Sequence, residues 1–119
     1  MRKWFLAALT LGLVAQGPLT ARAQDDVTVK GEIVDLACYL SKGKKGADHK
    51  SCAQMCAKGG VPMGVLTESD ELYLLIDDHA NPKPYEAAKK LAGTNAEISG
   101  KKFVKNGMAS IVVTSATGQ

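Results

Sequence analysis

An odd number of cysteines crowded into one short stretch constrains this chain more than any other feature. Cys38, Cys52 and Cys56 fall within nineteen residues, and His49 completes an H-x2-C-x3-C run. Three thiols cannot all pair within one molecule. Either one disulfide forms beside a free thiol, or the three are gathered by a metal ion. Pairing Cys38 with either later cysteine, or gathering all three on an ion, requires the chain around residue 38 to return to the segment 49–56. In a small domain with a modest core, such a staple is a substantial part of the fold.

The first residues read as a secretory leader. Arg2 and Lys3 precede an apolar run from Trp4 to Ala15, Gly17-Pro18 breaks it, and Ala21-Arg22-Ala23 fits a small-x-small cleavage site. Cleavage after Ala23 leaves one domain, 24–119. Twelve apolar residues are too few to span a bilayer, which needs about 20, and no cysteine follows closely enough for lipid attachment. The expectation is a soluble, exported protein, periplasmic or extracellular, without a stable membrane anchor. Of the 15 basic residues, Arg2, Lys3 and Arg22 belong to the leader, leaving 12 lysines against 12 acidic residues. A neutral domain whose aromatics are Tyr39, Tyr73, Tyr85 and Phe103 lacks the basic excess and stacking platform of a nucleic-acid binder. Its partner, a protein or a small molecule, is not identified by composition.

Hydrophobic patterning gives the order strand, helical insert, strand, strand, helix, strand, strand. Val27 to Val34 is a first strand with Val27, Val29, Gly31 and Ile33 on one face. Asp35 to Tyr39 leads out of it into a lysine- and glycine-rich loop, 41–47. Asp48 is a candidate N-cap for a helix over 49–58 that Gly59-Gly60 ends. Strands follow at 61–67 and 71–77, the second nearly all apolar and expected to be buried. A helix at 84–91 with a stop at Ala92-Gly93 reads as a barrel plug. The strands 95–104 and 108–114 are joined through Asn106-Gly107, a strong hairpin signal. Five strands with a helix between the third and fourth match the OB-fold, a small Greek-key barrel. The expected class is therefore mostly β with two short helices, an OB-like five-stranded barrel whose Cys/His-bearing insert lies between strands 1 and 2. An open five-stranded sheet with helices on one face is the competitor.

The run Val29-Lys30-Gly31-Glu32-Ile33-Val34-Asp35-Leu36-Ala37-Cys38-Tyr39, followed by His49-x2-Cys52-x3-Cys56, resembles a group of small exported bacterial proteins. The likeness continues through Tyr73-Leu74-Leu75, Leu91-Ala92-Gly93 and Ser99-Gly100. This resemblance implies an OB-like barrel and no established activity.

Helical spacing of 49, 52 and 56 would place His49, Cys52 and Cys56 on one face, with Cys38 folding back over it. Three thiolates and an imidazole suit tetrahedral zinc. Two thiolates with an imidazole also suit Cu(I), and thiolates disfavour magnesium and calcium. Cys-x3-Cys with a histidine resembles the copper motif of proteins that help assemble the respiratory oxidase copper centre. There the histidine follows the cysteines within a thioredoxin-like fold, so only the ligand chemistry transfers. Met55 and Met63 are further soft donors, with gap-filling in the core the simpler role for Met55. The alternative is a disulfide-stapled binding module, Cys38 paired with Cys52 or Cys56, with one free thiol and no metal. A Cys52–Cys56 bridge within one helix is geometrically poor. A reactive thiol beside Lys42, Lys44, Lys45 and Lys50 is a third reading, but no orienting acid or C-x-x-C motif supports an enzyme. His79, between Asp78 and Ala80, reads as a solvated loop residue.

Overall fold

Alternating β-branched residues make β1 (Asp25–Asp35), the strand on which the molecule is organised. The computed structural model describes residues 17 and 25–119, so the expected leader, Gly17 apart, lies outside the described residues. β1 is longer than either neighbour requires because it serves two of them. Asp25 to Glu32 pairs antiparallel with β4 (Asn95–Lys105), and Gly31 to Asp35 pairs antiparallel with β2 (Met63–Thr67). The handover falls at Gly31, where a Cβ would collide with the Leu66 carbonyl. Only glycine lets the two backbones approach this closely.

β2 continues antiparallel into β3 (Leu72–Ile76), and β4 into β5 (Met108–Gly118). Asn106 (φ 51°) and Gly107 (φ 80°) both take the positive φ that the Asn-Gly hairpin predicts. β3 and β5 pair in parallel through Leu74–Ser110 and Ile76–Val112, which closes the barrel in the order β1-β2-β3-β5-β4. That parallel seam was not apparent in the sequence. It arises because a helix and a whole strand separate β3 from β5, so β5 returns in the direction of β3. Closure excludes the open sheet and gives the expected OB-like barrel.

Inward residues of all five strands build the core: Ile33, Met63, Val65, Tyr73, Leu75, Ala96, Ile98, Ile111 and Val113. β3 was expected to be buried throughout, yet it alternates, with Tyr73 and Leu75 inside while Leu72, Leu74 and Ile76 stay half-exposed. One face of β3 looks into the barrel and the other lines a shallow surface groove with Leu36, Leu40 and Met108.

Among the described residues there are three α-helices rather than the two expected. α1 (Leu36–Lys42) starts directly at the end of β1, where a plain exit was expected, and stops at Gly43 (φ 66°). A 3-10 turn over Ala47–His49 then leads into α2 (Lys50–Lys58). Asp48 lies inside that turn and makes no capping hydrogen bond, so the expected N-cap there is corrected; His49 holds the N-cap position of α2. α3 (Lys83–Lys90) is the expected plug. α2 and α3 face the barrel with small residues, Ala53 and Ala57 from one and Ala88 from the other, joined by Ala92 just beyond α3. Alanine lets helix axes come close, and the Gln54 side-chain amide fastens the pair by donating to the Lys90 carbonyl at 3.2 Å.

Gly93 locates α2. Its φ is +77°, its N–H donates to the Ile33 carbonyl at 2.7 Å, and an added Cβ would lie 2.6 Å from Lys50 Cα. Gly93→Ala combines left-handed strain of about 1–2 kcal/mol with displacement of the first turn of α2. We expect a loss of about 3 kcal/mol in all, a fall in Tm of roughly 12–24 °C for a domain of this size. Thermal denaturation followed by circular dichroism checks this.

Candidate metal centre

Asp35 belongs to two elements at once, and the site follows from that. As the last residue of β1 it is fully buried, and as the N-cap of α1 its Oδ1 accepts from the Cys38 N–H at 2.8 Å. Its Oδ2 accepts from His49 Nε2, also at 2.8 Å, across fourteen residues of chain. A neighbouring acid makes a second tie, as both Glu32 carboxylate oxygens accept from the Gly46 N–H at 2.9 and 3.0 Å. The returning arm of the insert is thus pinned to β1 at Gly46 and at His49, just before α2 begins.

Burial pushes the Asp35 carboxyl up, but hydrogen bonds from the Cys38 N–H and the His49 ring outweigh it, so its pKa lies below the ordinary value of 3.8. Asp35 is therefore a carboxylate, which can only accept. Neutral His49 must then carry its proton on Nε2 and present the Nδ1 lone pair. A carboxylate behind an imidazole is the arrangement that orients metal-ligating histidines. His49 itself is mostly buried, its side chain 13 % exposed.

Cys52 and Cys56 lie one turn apart on α2, beside the alanines that enter the core. They flank Cys38 of α1, and the three sulfurs all lie within 4.8 Å of one another. None is in a disulfide; Cys52 is exposed, Cys38 and Cys56 half-buried. A Zn–S bond of about 2.3 Å implies sulfurs about 3.8 Å apart in a tetrahedral site. Closing on an ion asks for side-chain adjustments on the order of 1 Å, with no change in fold. Asp35, Cys38 and His49 form an overlapping cluster within the same limit, so Cys38 is the joint between the thiol triad and the Asp–His pair. The expected face shared by His49, Cys52 and Cys56 is altered, because His49 precedes α2 and turns toward Asp35.

Partial burial raises the Cys38 pKa, assisted by the hydrogen bond and charge of Asp35, with Lys42 opposing only weakly. Cys56 is raised likewise, by burial first and then by its hydrogen bond with Cys52. These directions run against the lysine-activated nucleophile, since Lys42, Lys44, Lys45 and Lys50 are all exposed to solvent. They also make ion binding proton-coupled, because thiols must ionise to ligate. Met63 is wholly inside the core and Met55 is 72 % exposed, so the gap-filling role expected of Met55 is corrected. His79 is exposed on its loop, as expected.

The thiols, the imidazole and the carboxylate gathered here could hold a metal ion. Asp35 is the site residue that sequence reasoning missed. The available signal was an aspartate immediately before a short helix-compatible run that ends in glycine. Comparisons with protein-family models, curated proteins and solved structures gave no match.

Proposed function

We propose that this is an exported cell-envelope protein that reversibly binds one thiophilic ion through Cys38, Cys52 and Cys56, with His49 Nδ1 as the adjoining donor. The observation that carries this reading is the convergence of three free thiols from two helices within 4.8 Å. Export rests on the leader ending at Ala23 and on the likeness to small exported OB-like proteins. Among the described residues, no helix is long and apolar enough to cross a membrane.

Cu(I) handling accounts for the site better than structural zinc. None of the three cysteines belongs to the core cluster, which the strands and the helix alanines complete among themselves. A structural zinc site supplies folding free energy outright, and its removal unfolds the domain. Here Cys52 is open to solvent, as an ion to be passed on requires. A protein partner that receives the ion follows from the same reading.

The deciding experiment is titration of the reduced chain with Cu(I) and, separately, Zn(II), with circular dichroism before and after chelation. The expected result is one ion per chain and an unchanged fold on stripping. Unfolding on stripping would move the assignment to structural zinc. Failure of the reduced chain, with its three thiols free, to take up either ion would replace both with the stapled binding module. His49→Ala should weaken Cu(I) binding by more than the roughly 10–100-fold seen when a group that only supports a metal ligand is lost, while one ion per chain is still taken up. A stapled module would show no such effect.

A further inference from the structure

The three sulfurs differ in what they can do to one another. Cys52 and Cys56 share α2, where side chains four residues apart hold their Cβ atoms about 5–6 Å from each other and pointing the same way. A disulfide needs Cβ atoms roughly 3.5–4.5 Å apart, with an S–S length of about 2.05 Å. Joining that pair would therefore require α2 to unwind. Cys38 comes from a different helix, followed by the exposed loop Gly43–Lys45, and its sulfur is within 4.8 Å of both others. It can approach α2 without breaking a turn of helix. Access separates the remaining two choices. Cys52 is exposed while Cys38 and Cys56 are half-buried, so a disulfide arriving from solvent meets Cys52 first.

We propose that the triad is a redox gate, in which exchange with an external disulfide joins Cys38 to Cys52, leaves Cys56 as a thiol and empties the ion site. The release of the ion rests on the metal-binding reading above; the pairing does not. In the first step the Cys52 thiolate attacks one sulfur of the external disulfide, forming a mixed disulfide and expelling one thiolate. The Cys38 thiolate then attacks Cys52 Sγ and expels the second. Two electrons pass from the protein sulfurs to the external disulfide, and the two protein thiol protons end on the two released thiols. Cys56 alone, with His49 beside Cys38, cannot reproduce a three-thiolate grip, and a bridged sulfur is a poor donor.

The test uses the full chain, reduced and metal-free, with glutathione disulfide as the oxidant, followed by alkylation and peptide mapping. The expected product is two hydrogens lighter, alkylated at Cys56, with the Cys38 and Cys52 peptides linked. Cys56→Ser should form the same bridge, whereas Cys38→Ser should stop as a glutathione adduct on Cys52. With the Zn(II)-loaded chain, a chromogenic indicator should report one zinc released per bridge formed. A Cys52–Cys56 bridge, a persistent adduct on the unaltered chain, or zinc still bound after bridging would each overturn the gate. The pairing is read without metal, so a failed metal titration leaves the mapped bridge unaffected and counts only against ion binding.

Discussion

Serine at any one of Cys38, Cys52 or Cys56 is expected to weaken Cu(I) binding at least about a hundredfold, which is about 2.7 kcal/mol. Losing a group that merely supports a metal ligand already costs about 10–100-fold; a direct donor should exceed that. Serine keeps the volume of cysteine but offers a hard, protonated oxygen in place of a soft thiolate. Cys38→Ser should be the most severe of the three. It is the donor that joins α1 to α2 and that lies in both clusters, so its loss leaves two thiols on a single helix. Stability should respond differently, because no site cysteine is in the core cluster. We expect each metal-free variant to remain within roughly 1 kcal/mol of the parent, as substitutions away from the core usually do. Chelator competition reads the first effect and thermal melts the second. If one serine variant binds as tightly as the parent, that cysteine is outside the site. Large, parallel losses of affinity and stability would instead mean that the thiols hold the fold together.

Different parts of this molecule were legible in the sequence for different reasons. Alternation at Val27, Val29, Gly31 and Ile33 and the Asn106-Gly107 turn are local signals, and local rules read them correctly. The plug helix is similar, since Pro84, an alanine-rich run and Gly93 bracket it within a few residues. α1 was hidden because its seven residues span under two turns, too few for a helical period to register. Its cap, Asp35, also looks like the end of a strand, which it is. The burial of β3 was overestimated because Leu72 and Leu74 are as apolar as a core face, although they border a surface groove. The cysteine cluster was evident from spacing, but the orientation of His49 was not. That is set by Asp35, fourteen residues away and brought near only when the insert folds back onto β1. Glu32 and Gly46 do the same for the preceding turn.

Asp35→Ala should then be the most destabilising single change in the insert. It removes the N-cap of α1, typically worth about 1 kcal/mol. The cap is the bond from the Cys38 N–H; the substitution also leaves the His49 ring N–H without an acceptor where water is largely excluded, at about 1–3 kcal/mol. Partial relaxation of the 3-10 turn toward solvent would recover some of this, so we expect about 3 kcal/mol, or a fall in Tm of roughly 12–24 °C. Asp35→Asn separates the scaffold from the site. The asparagine oxygen can still accept from the Cys38 N–H, which preserves the cap. Its amide, however, donates toward His49, so the ring must accept at Nε2 and carry its proton on Nδ1. The fold should lose only on the order of 1 kcal/mol, a single hydrogen bond's worth. Cu(I) affinity should fall as far as in His49→Ala, because Nδ1 then carries the proton and has no lone pair to donate. Acid provides an independent reading in the metal-free chain. The folded pKa of Asp35 lies below 3.8, so on acidification the unfolded chain takes up this proton first. The stabilisation is complete above about pH 3.8 and is lost as pH drops through the lower folded value. The parent should therefore destabilise more steeply than Asp35→Asn below pH 3.8, and the gap between them should narrow as acid neutralises the carboxylate. Equal acid slopes would show that the Asp35 charge does not hold His49, and the tautomer assignment would fall with it.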